Sequence, residues 1–119
     1  MWPSEAGIQP YQNAREDAVI RADWKPGSVI SPPRGWFHQH FNTGPDPARQ
    51  LAIRYGSSYY FTGFHHKSVH QIEDGTYISV RKGGNLIEYE DEDPEIRTRY
   101  EAELAKQGIP CDMLPVLHQ

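Results

Sequence analysis

Residues 27–42 read GSVISPPRGWFHQHFN, and the fold turns on how this stretch is placed. On an extended chain successive side chains point to opposite faces. His38, His40 and Asn42 therefore share one face, and Phe37, Gln39 and Phe41 share the other. Two imidazoles and an amide are costly to bury without partners. The aromatic face also asks for cover. A strand covered on both sides suits the wall of a barrel, with one side lining a polar pocket and the other packed on a sheet or a neighbouring subunit. Imidazole is a common ligand of divalent transition metals. Two histidines at i and i+2 can share one ion, or they can be a hydrogen-bonded pair in a pocket, and the local pattern leaves both open.

Working outward, Ala18–Trp24 alternates with one largely apolar face, which predicts a strand. Lys25-Pro26-Gly27 reads as a turn and Val29-Ile30 as a short strand stopped by Pro32-Pro33. Strands are predicted over Trp36–Asn42, Leu51–Tyr55, Thr76–Val80 and Leu86–Tyr89, the last after a hairpin turn at Lys82–Asn85. Residues 1–17 read as an irregular lead-in, 18–93 as a β domain and 108–119 as a tail. Between them, residues 94–107 carry helix signals. Asp93 is a good N-cap, Pro94 suits the first position, and Ile96, Tyr100 and Leu104 form an apolar stripe. Glu95–Arg99 and Arg97–Glu101 are opposite charges at i, i+4, and Gly108 with Pro110 ends the helix.

The chain has 119 residues, enough for one modest core. Net charge is −4, with residues 1–87 at +2 and residues 88–119 at −6, and no basic stripe suggests a nucleic-acid partner. The acidic run over 88–95 reads as a strand end and helix start. No apolar run approaches the roughly 18 residues of a membrane span, and no stretch has signal-peptide order. The single cysteine, Cys111, excludes an internal disulfide. A cytoplasmic location is expected.

Gly27, Pro33, Gly35, His38 and Asn42 stand at the spacing G-x5-P-x-G-x2-H-x3-N. This resembles the second signature of the cupin superfamily, with every fixed position filled. The segments at 47–52 and 84–94 look like those of bacterial cupin-domain proteins, so the chain is similar to the C-terminal half of such a protein. The resemblance implies a mainly β fold: a cupin-like double-stranded β-barrel, partial or completed by another chain, with one C-terminal α-helix. It also implies a divalent metal (iron, manganese, nickel, copper or zinc), with His38 matching the second-signature ligand. A first signature, with an HxH and a glutamate, would lie upstream, yet residues 1–26 hold no histidine. The expectation is therefore a fragment, a mistaken start, or a barrel completed by a homo-oligomer or partner chain.

Two functions follow as expectations. The first is a metal-binding, dioxygenase-like protein acting on a small aromatic or carboxylate molecule. Here His38 holds the metal, His40 joins it or orients substrate, and Asn42 acts by hydrogen bonding. Arg34 and Arg54 are candidates for a substrate carboxylate, Tyr55 for the pocket wall, and His65, His66 and His70 for a lid over its mouth. The second is a non-catalytic ligand-binding or assembly module that pairs with another chain. No residue is assigned a catalytic role. Ser57, Ser58 and Ser68 lack a nucleophile elbow, and Cys111 has no activating neighbours in sequence.

Overall fold

Trp2 is an unpromising start for a fold on local pattern alone, yet it is a centre of packing. In the computed structural model, which describes residues 1–53 and 79–113, its side chain is 5% exposed. Strand β1 (Trp2–Pro3) pairs antiparallel with β2 (Trp36–Phe37), setting Trp2 opposite Phe37 and Pro3 opposite Trp36. The Trp2 and Phe37 rings lie 5.8 Å apart and tilted. The indole N–H donates to Gly7 O at 2.9 Å, so the buried ring keeps its polar edge satisfied. Ser4 N–H extends the contact to Gly35 O.

The helix α1 (Pro94–Lys106) begins where the capping signals place it. Asp93 accepts from Glu95 N–H at its own cap, and Pro94 occupies the first turn. Ile96 and Leu104 are buried, while Tyr100 is half-buried. Both i, i+4 ion pairs form, Arg99–Glu95 at 2.9 Å and Arg97–Glu101 at 2.7 Å. The end is closed by Gly108 N–H to Ala105 O and Ile109 N–H to Leu104 O.

Asp93 also does something that no helix signal announces. Its side chain is 1% exposed, and its Oδ2 accepts from Tyr11 N–H at 2.8 Å and Gln12 N–H at 3.1 Å. Gln9 reaches across to Asp91 O, and Arg99 stacks over the Tyr11 ring at 4.4 Å. One carboxylate thus caps the helix and fastens the N-terminal segment to it. The chain divides into two compact units, Met1–Pro47 with Glu90–Gln119 and Ala48–Tyr89. The buried apolar side chains named here, with Ala6 and Pro10, belong to the first.

The expected barrel is not found among the described residues. The sheet among the described residues has two strands, is not closed, and each strand is two residues long. The predicted strand Ala18–Trp24 starts in a 3-10 turn, Glu16–Ala18, and touches Met1 through Ile20 N–H to Met1 O. Arg21 turns to Asp23, two residues on, and to Glu103. Val29–Ile30 and residues 51–53 form no strand, and β2 stops at Phe37. In the second unit, a 3-10 turn at Val80–Lys82 is accompanied by a single parallel bridge, Ser79 to Leu86. A further 3-10 turn covers Tyr89–Asp91, where the chain passes back to the first unit. Alternation marks an extended, two-faced stretch, but a ladder also needs donors and a neighbour along its whole length. Pro26, Pro32 and Pro33 remove donors here.

Candidate functional site

The stretch around the histidines keeps its alternation without being a sheet strand. Phe37, Gln39 and Phe41 are half-buried, whereas His38, His40 and Asn42 are exposed. Gly27 and Gly35 both adopt left-handed backbone, at φ 85 and 78. A Cβ at either position would meet nothing, so conformation alone calls for glycine at these two turns.

The aromatic face finds its cover inside the first unit. Phe37 packs on Trp2, and Phe41 on Tyr100 of α1 with centroids 4.9 Å apart. Tyr100 Oη donates to Asn42 O at 3.1 Å. Gln39, between the two phenylalanines, hydrogen-bonds the Glu92 side chain. Burial pushes the Glu92 carboxyl above the usual carboxylate range. The Gln39 hydrogen bond opposes that rise, the Asp93 charge adds to it, and Arg97 opposes it. Strand β1, the approach to the helix and the helix itself thus hold Phe37, Gln39 and Phe41 in turn.

The other face carries the imidazoles. The His38 and His40 ring centroids are 5.6 Å apart in an edge-on arrangement, and Trp24 lies 5.7 Å from His40. Both residues are exposed, and among the described residues no barrel encloses them. Asn42 uses its side chain in its own loop: Nδ2 donates to Asp46 O at 2.8 Å, and Oδ1 accepts from Gly44 N–H at 3.1 Å. Arg34 is exposed in the turn before β2. Arg54, Tyr55, His65, His66 and His70 lie outside the described residues.

Imidazoles bound to zinc at about 2.0–2.1 Å and tetrahedral angles have centroids roughly 5 Å apart. The His38–His40 centroid spacing of 5.6 Å is of that order. Among the described residues no group of three or more His, Cys, Asp or Glu comes together for one ion. No helix among them is long and apolar enough to cross a membrane. No family model, curated protein or solved structure matches the chain.

Sequence reasoning missed Trp24, Tyr100 and Glu92 as neighbours of this stretch. Tyr100 was visible as part of an apolar helix stripe, but nothing local said what that stripe would meet. Trp24 and Glu92 carried no signal linking them to residues 37–42.

Proposed function

We propose that the chain is a divalent-metal-binding module in which His38 and His40 are ligands to one ion. The observation that supports it is the 5.6 Å separation of two exposed imidazoles on one face of an extended segment. The backing of that segment by Trp2, Glu92 and Tyr100 favours the same role, because a chelating pair binds better when its backbone is already ordered. Imidazole donors suit zinc, copper and nickel, with affinity rising toward copper. A bound ion would supply Lewis acidity at its open positions. Since both residues are exposed, binding is favoured over an enclosed oxygenase centre.

Titration calorimetry of metal-stripped protein with Zn²⁺, Ni²⁺ and Cu²⁺ tests the proposal. Saturable binding that disappears in both His38→Ala and His40→Ala is the expected result. Absence of binding, or binding unchanged in both variants, overturns it. Trp24 gives a second readout: Cu²⁺ at His40 should quench tryptophan emission, and Trp24→Phe should remove most of that quenching.

A second reading is metal-independent assembly. Val29 at 95%, Leu51 at 89% and Ile53 at 91% exposure are large aliphatic side chains left in water. Concentration-dependent self-association in the presence of a chelator would support it.

A further inference from the structure

We infer that residues 48–89 are an insert carried by the first unit, and that Asp93 is the clasp that closes that unit over the insert. The chain leaves the first unit after Pro47 and returns to it at Glu90. The two halves on either side hold each other through contacts of their own. Asp93 Oδ2 accepts from Tyr11 N–H at 2.8 Å and from Gln12 N–H at 3.1 Å. Gln9 Nε2 donates to Asp91 O at 3.1 Å. Arg99 lies over the Tyr11 ring, and Arg21 pairs with Glu103 at 3.1 Å. Phe41 meets Tyr100, whose Oη donates to Asn42 O. The buried side chains come from both halves: Trp2, Ala6 and Pro10 from one, Asp93, Ile96 and Leu104 from the other.

Asp93 stands out among these links because its side chain is 1% exposed and serves both halves at once. Neither set of N–H donors can leave it without stranding a buried acceptor or opening the junction to water. Gln39 bonds Glu92 and Asn42 meets Tyr100, so the exit and the return of the chain are already held together within the first unit. The entropy of closing a loop grows only slowly with its length, so an insert between joined ends costs its host little. This property is independent of metal binding.

A protease recognition sequence placed at the exposed Ala48 of the full chain allows one cut at the start of the insert. After the cut, residues 1–47 should stay bound to the remainder, with the elution volume and helical circular dichroism of the uncut protein. Asp93→Asn is the discriminating variant. Its oxygen can still cap Glu95 N–H, because asparagine is as good an N-cap as aspartate. Its NH2 group donates and cannot accept from Tyr11 and Gln12. The uncut variant should therefore keep its helix, while in the cut variant residues 1–47 should bind about tenfold or more weakly. Hydrogen exchange of the uncut protein gives a second readout. Asp93→Asn should speed exchange at Tyr11 and Gln12 and leave the hydrogen-bonded N–H groups of Val80, Lys82 and Gly84 unchanged. Loss of residues 1–47 from the cut parent overturns the insert. A cut variant as tight as the parent overturns the clasp. Equal acceleration at residues 80–84 shows that the two units open together, which also overturns the insert.

Discussion

The Asp93 junction and the His38–His40 face lie in the same unit and are built on opposite terms. At the junction, one buried carboxylate takes three backbone N–H donors from two segments far apart in sequence. Around it Trp2, Ala6, Pro10, Ile96 and Leu104 are buried. On the histidine face the side chains are exposed, and their backbone is held from behind. The difference teaches that the first region is spent on stability, whereas the second keeps its side chains exposed. Substitutions at the first should change the melting temperature, and those at the second should change ligand uptake.

The largest effect is expected at Trp2. Trp2→Ala removes a nearly buried indole and its contact with Phe37, and should cost about 3–4 kcal/mol in urea unfolding. Asp93→Ala strands three N–H groups, two of which hold the N-terminal segment, and should cost about 3 kcal/mol. A loss below about 1 kcal/mol there would mean that the tie between residues 11–12 and the helix is not a stability element. Tyr100→Phe keeps the ring against Phe41 and loses the hydrogen bond to Asn42 O, so about 1 kcal/mol is expected.

Glu92 separates the regions through pH. Its folded-state carboxyl titrates above the ordinary range because of burial. The folded protein therefore holds this proton when the unfolded chain has already released it. Stability should fall as pH rises from the ordinary carboxylate range through the raised value. Glu92→Gln should flatten that part of the stability-against-pH curve and leave the protein more stable at neutral pH. A curve identical to that of the parent would contradict the assignment. The smallest stability effects belong to His38→Ala and His40→Ala, within about 0.5 kcal/mol. A larger loss at either would erase the contrast between the two regions.

Local features were legible where they depend on near neighbours in the chain. The helix of Pro94–Lys106 follows from Asp93, Pro94, the i, i+4 charges and Gly108, because caps and turns close over a few residues. The two-sided character of residues 37–42 follows from the alternation of phenylalanine and glutamine with histidine and asparagine. The lead-in was not legible. Trp2, Gln9 and Tyr11 meet residues 37, 91 and 93, and no periodicity within residues 1–17 encodes those contacts.

By itself, then, the sequence determined a capped helix and an extended stretch with an aromatic face and an imidazole face. Both arise from backbone geometry that each residue shares with its immediate neighbours. Tertiary structure alone decided which face of that stretch would be covered, and by what. Burying Trp2 and the Phe41–Tyr100 pair removes apolar surface from water, a gain that depends on which distant segments meet. Among the described residues that choice gave a short two-stranded ladder where a barrel wall was expected, with His38 and His40 on its exposed side.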